Sequence, residues 1–105
     1  MKFATIHLVD VNHMGNFYFT QDAVALAREV LQKGGYIAQT PIACYDWESG
    51  EAVAEEMFDL TNNPYRQSER VIKCGRGRSV SVGDIVETEG VLYICRPNGW
   101  EAFTL

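Results

Sequence analysis

Four carboxylates stand at helical spacing in the middle of the chain. The intervals between them are three, four and four residues, and they are Glu48, Glu51, Glu55 and Asp59. On an α-helix this spacing places the side chains along one face. Such a row carries charge as a phosphate backbone does, and it could occupy a basic nucleic-acid groove on another protein. The alternative is a solvated helix face, the usual role of a charge run.

A basic segment follows the acidic row. Residues 66–78 carry five basic side chains and one acidic side chain. Its candidates for contact with nucleic acid or a partner are Arg70, Lys73, Arg76 and Arg78. Phosphate is the natural ligand of such a group, and ion pairing with the acidic helix is the alternative. Because the whole chain has a net charge of -5, the sequence argues against direct binding of nucleic acid.

Cys74 is the one residue with a rationale for nucleophilic chemistry. Lys73 and Arg76 flank it, and nearby cations favour the thiolate. A cysteine-dependent enzyme at Cys74 is therefore a third hypothesis, although no histidine partner can be assigned to it. The chain has no C-x-x-C pair of the kind that zinc sites use. We expect no catalytic residue, no metal and no cofactor, and hence a protein that is not an enzyme.

The elements that must position these residues mix strands and helices. The patterns predict strands at 2–9, 17–19, 36–45, 71–72, 85–87, 91–95 and 100–105, helices at 21–33 and 50–60, a turn at 12–16 and a polar connection over 65–79. Thr20 is the expected cap of the first helix, and Pro41 marks an edge strand. We expect one α+β domain over 1–105, an antiparallel sheet of four to six strands with two helices on one face.

Length and composition limit the class of protein. The chain has 105 residues, of which 47% are hydrophobic, so one domain can form a core. No apolar run approaches the roughly 18 residues of a membrane span, and no secretory signal is evident at the N-terminus. Three cysteines, an odd count, are typical of reduced thiols. We expect a cytoplasmic protein, without a membrane partner, whose exposed sheet edges offer a route to a homodimer.

One motif resembles a known group of proteins. It reads Arg78-Ser79-Val80-Ser81-Val82-Gly83-Asp84-Ile85-Val86 and is followed by Gly90, Tyr93 and Gly99-Trp100. Together with the helix that ends at Pro64, this pattern resembles small proteins encoded by phages, plasmids and integrative elements, over about residues 50–103. The motif also has a structural interpretation, because Gly83 permits a turn and Asp84 can cap it by bonding backbone amides.

The resemblance implies a genomic context rather than a reaction. Small accessory proteins of mobile elements often bind and block a host defence complex, so it implies a host protein or protein–nucleic-acid complex as the partner. The leading hypothesis is a non-enzymatic inhibitor of the anti-CRISPR or anti-restriction type that acts through the acidic row. The alternatives are a small nucleic-acid-binding module that uses the basic 66–78 segment and the cysteine-dependent enzyme.

Overall fold

Six strands and four α-helices make up the chain in the computed structural model, which describes residues 2–45, 48–75 and 77–105. The elements run in the order β1 (Lys2–Val9), α1 (Val11–Phe19), α2 (Ala23–Gln32), β2 (Tyr36–Ala38), β3 (Ile42–Cys44), α3 (Gly50–Asn62), a 3-10 turn (Pro64–Arg66), α4 (Gln67–Cys74), β4 (Ile85–Thr88), β5 (Val91–Arg96) and β6 (Gly99–Phe103). The predicted α+β class is confirmed.

The sheet is antiparallel and open, with the strand order β2-β1-β4-β5-β6. The one edge or bulged strand predicted at 36–45 is divided into β2 and β3, which both pair with β1, and Pro41 lies between them. The predicted meander of the last three strands is confirmed, with Val86 opposite Tyr93 and Tyr93 opposite Ala102. Pairing of two copies through these edges stays a prediction.

The core consists of two clusters on opposite faces of the sheet. Ile85 and Val86 are neighbours in β4 and fully buried, but they belong to different clusters. Adjacent strand residues point to opposite faces. Val86 lies with the apolar face of α3, and Ile85 lies with α1 and α2. The helix layer therefore differs from the expected two helices on one face, because four helices form and both faces are covered.

The first helix, α1, was not predicted, and the predicted turn at 12–16 and strand at 17–19 are wrong. Asn12, Gly15 and Asn16 are poor helix formers, which favoured a turn. The Asp10 carboxylate caps the helix by accepting a hydrogen bond from the Asn12 amide at 2.8 Å. Phe17 is 1% exposed in the core. The cap and this burial outweigh the weak local propensity.

The helix α4 replaces the connection predicted over 65–79 and the short strand predicted at 71–72, both of which are wrong. The segment is polar, which favoured a connection, although its charged and apolar residues separate at helical spacing. Its stabilisation is electrostatic, since Lys73 donates to Glu69 one turn earlier at 2.9 Å. Glu69 lies in the first turn and Lys73 in the last, which suits the helix dipole.

The two predicted helices are confirmed with small changes at their ends. α2 is capped by Asp22, whose carboxylate accepts from the Ala25 amide at 3.0 Å, and not by Thr20. α3 is capped by Ser49, whose hydroxyl accepts from the Ala52 amide. Among the described residues, no helix is both long and apolar enough to span a membrane.

Candidate functional site

The outer face of α3 carries the acidic row. Glu51, Glu55 and Asp59 are exposed, and Glu48 is half-buried just before the Ser49 cap. The opposite face of the helix is fixed in the core by Val53, Met57 and Leu60, each at most 2% exposed. Glu51, Glu55 and Asp59 therefore stand on a helix whose orientation is set by packing, on the face opposite its buried side chains.

Two aromatic residues lie beside the acidic row, and sequence reasoning did not join them to it. The Trp100 indole Nε1 of β6 donates a hydrogen bond to the Glu55 carboxylate. The rings of Phe58 and Trp100 meet edge to face, with centroids 6.5 Å apart and planes at 85°. Only the pairing of β6 with β5 at the sheet edge brings residue 100 next to α3, so no local sequence signal could have found this contact.

Asp59 belongs to an ion-pair network. The Arg66 guanidinium donates to Asp59 and Glu56 at 2.7 Å and to Glu69 at 2.9 Å. Arg66 and then Lys73 lower the pKa of Glu69 to about 2, and the carboxylates around Arg66 raise the pKa of its guanidinium. The charge of Asp59 is therefore compensated within the chain, as the alternative of internal pairing predicted.

Glu51 and Glu48 keep their charge available. Among the described residues, no cationic side chain pairs with either carboxylate, whereas Glu55 has the Trp100 indole as its one hydrogen-bond partner. The structure thus divides the predicted row. Glu51 and Glu55 on α3 have no cationic partner among the described residues, and the charge of Asp59 is compensated by Arg66. Glu48 lies before the helix, where the Lys2 ammonium donates to its carbonyl oxygen.

Arg78 is held inside the molecule. Its guanidinium forms two hydrogen bonds with the Asp84 carboxylate, at 2.6 and 2.8 Å, and one with the Val9 carbonyl oxygen at 2.9 Å. Asp84 has no exposed surface, and it also accepts from the amides of Val9 and Ser81. The predicted capping role of Asp84 is confirmed, and Gly83 turns the chain with φ +95°. Within the motif, Arg78 and Asp84 thus form a structural clamp, an ion pair that holds the loop before β4 against the end of β1.

Arg70 is likewise directed inward, and only Lys73 faces solvent. The Arg70 guanidinium donates to the carbonyl oxygens of Thr61 and Gly77 and to the Ser79 hydroxyl, so it holds the loop after α4 against α3. Lys73 is exposed and pairs with Glu69. Arg76, the fourth predicted contact, lies outside the described residues. The described cations do not form a continuous exposed surface for phosphate.

Cys74 lacks the environment of an activated thiol. It is only partly exposed, and burial raises its pKa above the ordinary value in spite of Arg70 and Lys73. Its packing against the cluster under α3 explains that burial. Within the described ranges, no group of three or more histidine, cysteine or acidic residues could hold a metal ion. The conditions for a cysteine nucleophile are thus not met at this position.

Compared with protein-family models, curated proteins and solved structures, the chain matches none of them.

Proposed function

We propose that the chain is a non-enzymatic protein of a phage or other mobile element that binds a basic surface of a host macromolecule. The observation that carries this proposal is the exposed face of the N-terminal half of α3, where Glu51 and Glu55 stand on a helix fixed by its buried face, with the half-buried Glu48 just before its cap. A fixed row of like charges complements a positive surface and speeds the encounter with it.

The sharpest form of the proposal is inhibition of a bacterial defence complex, of the anti-CRISPR or anti-restriction type. Such complexes hold nucleic acid through lysine and arginine side chains that neutralise phosphates. The carboxylates of α3 compete for the same side chains. The fixed orientation of the helix supports this role, because little conformational entropy is lost when an ordered surface binds.

The arrangement of the basic side chains supports the acidic face over the alternative of a nucleic-acid-binding module. Arg70 and Arg78 are used in holding the loop between α4 and β4, and Lys73 is paired with Glu69. A nucleic-acid site needs several free cations on one face. Glu51, in contrast, is exposed and has no cationic partner among the described residues.

Affinity capture from a bacterial lysate, with and without duplex DNA as competitor, tests the proposal. The wild-type protein should retain partners that DNA displaces, because both bind the same basic groove. The variant Glu51→Lys should lose those partners. The matched control is Glu29→Lys, which changes the net charge equally and removes only the exposed ion pair with Lys33. Glu29 lies on α2, and this helix packs against the opposite face of the sheet.

Two results would refute the proposal. One is that Glu51→Lys retains the same partners as the wild-type protein and Glu29→Lys. The other is that the purified protein itself binds duplex DNA in a gel-shift titration at low salt, which would favour the basic segment instead.

A further inference from the structure

A groove of about 200 Å³ lies between the middle of α3 and the turn that joins β5 to β6. Its walls include Glu55 and Phe58 from α3 and Arg96, Pro97 and Trp100 from the hairpin. It adjoins the uncompensated end of the acidic row. A side chain of a partner bound to that row could therefore enter it.

The groove holds an oriented carboxylate. The Trp100 indole bonds to one oxygen of Glu55, and among the described groups none bonds to the other oxygen. A carboxylate accepts several hydrogen bonds at once. Glu55 can therefore receive a donor from a ligand without giving up Trp100, and the indole keeps the carboxylate in place for it.

The aromatic pair supplies a second kind of contact. The rings of Phe58 and Trp100 meet edge to face, so they do not stack on each other, and Phe58 is 37% exposed although Trp100 packs against the core cluster. A cation can lie over the face of an aromatic ring, and a planar guanidinium does so while its N–H groups point sideways towards a carboxylate. The ammonium group of lysine lacks that flat, forked geometry.

Among the described residues, Arg96 is the one cation in the groove wall, and its Nη1 is paired although its buried Nε has no hydrogen-bond partner. The guanidinium of Arg96, on β5, donates to the carboxylate of Glu101, on β6, at 2.8 Å. Its charge is therefore compensated at the rim, and the carboxylate of Glu55 sets the sign of charge that the groove attracts.

We propose that this groove binds the guanidinium of an arginine side chain on the partner, with Glu55 as the acceptor and the Phe58–Trp100 pair as the stacking surface. This inference rests on the proposed function, and it makes the interaction selective for arginine over lysine.

Titration with hexa-arginine and hexa-lysine peptides, followed by NMR of the indole N–H signals, tests the inference. The chain has two tryptophans, so the Trp100 signal is assigned by its loss in Trp100→Phe. Hexa-arginine should shift that signal and bind about fivefold to tenfold more tightly than hexa-lysine. Glu55→Gln keeps an acceptor for the indole and removes the charge, so it should abolish the preference.

The outcomes separate the inference from the proposed function. Equal affinity for the two peptides, or an unmoved Trp100 signal, overturns the guanidinium site. If Glu51→Lys still abolishes partner capture in that case, the acidic face is the binding surface and the groove is not part of it. If no basic partner is captured at all, the proposed function fails, whatever the peptides do. A preference for arginine that survives Glu55→Gln also overturns the site.

Discussion

Arg78 grips the fully buried carboxylate of Asp84 with two hydrogen bonds, at 2.6 and 2.8 Å. The same two side chains bond to the backbone of Val9, the arginine to its carbonyl oxygen and the aspartate to its amide. The clamp thus fastens the loop before β4 to the end of β1. The most recognisable motif of the sequence therefore serves the fold.

Removing Arg78 should destabilise the protein strongly. In Arg78→Met the Asp84 charge stays buried without its partner, which costs about 3–5 kcal/mol of unfolding free energy. Adding Asp84→Asn should recover part of that loss, because the buried charge is then gone. Urea denaturation of both variants gives the values. Lys33→Ala removes the exposed ion pair of Lys33 with Glu29 at 2.8 Å and should cost less than about 0.5 kcal/mol. Equal costs for the Lys33 and Arg78 variants would contradict the role of the Arg78–Asp84 pair.

Gly83 should resist substitution more than Gly90. Both have positive φ, +95° and +79°. A Cβ at Gly83 would lie 2.8 Å from Cδ2 of the buried Phe17, whereas a Cβ at Gly90 has open space. Gly90→Ala should therefore cost about 1 kcal/mol from backbone strain, and Gly83→Ala about 1–3 kcal/mol more from overpacking. Thermal unfolding followed by circular dichroism measures both, and similar losses would show that Phe17 does not constrain the turn.

Acid should weaken the protein through Glu69. Hydrogen bonds from Arg66 and Lys73 lower its pKa from 4.5 to about 2. Since the folded-state pKa is the lower one, the stabilisation is present above about pH 4.5 and is lost as the pH falls through 2. In urea titrations, the unfolding free energy of Glu69→Gln should therefore fall less than that of the wild type between about pH 4.5 and 2. The control Glu89→Gln, on the exposed hairpin, should show the same fall as the wild type. Identical slopes for Glu69→Gln and the wild type would be incompatible with the network.

The cysteines should be slow to alkylate in the native protein. Burial raises the pKa of Cys95 to about 12 and also raises the pKa of Cys74, so both are protonated thiols at neutral pH. With iodoacetamide, mass spectrometry should find Cys74 modified more slowly than in urea and Cys95 protected until unfolding. Faster modification of Cys74 in the native protein than in urea would revive the cysteine-dependent enzyme.

The parts of the fold that could be predicted are those with strong periodicity or turn chemistry. The apolar spacing of α3 and the alternation in the β4–β6 meander each identify their element. In α1 the turn-forming residues, and in α4 the high polarity, favoured a turn or a connection over a helix. Asp10, Glu69 and Lys73 are the residues that could have revealed these helices, because cap and i, i+4 charge signals are legible in a sequence.

The acidic row was predictable because one helix carries it, but its neighbours were not. Trp100 reaches Glu55 across 45 positions of sequence, and Arg66 reaches Glu56 only because the chain turns back at Pro64. Such contacts depend on topology, and side-chain spacing does not encode them. The same limit explains why the basic segment was a plausible phosphate site, since only the fold turns Arg78 towards Asp84.

The dissociation constant of the captured partner, measured for Glu51→Lys and Glu29→Lys over a range of salt concentrations, tests the central claim most directly. The account predicts binding at least about tenfold weaker for Glu51→Lys, with a shallower salt dependence, and near wild-type binding for Glu29→Lys. Equal weakening in both variants would mean that net charge alone matters, and no weakening in Glu51→Lys would mean that the partner binds elsewhere; either result would contradict the acidic face of α3 as the binding surface.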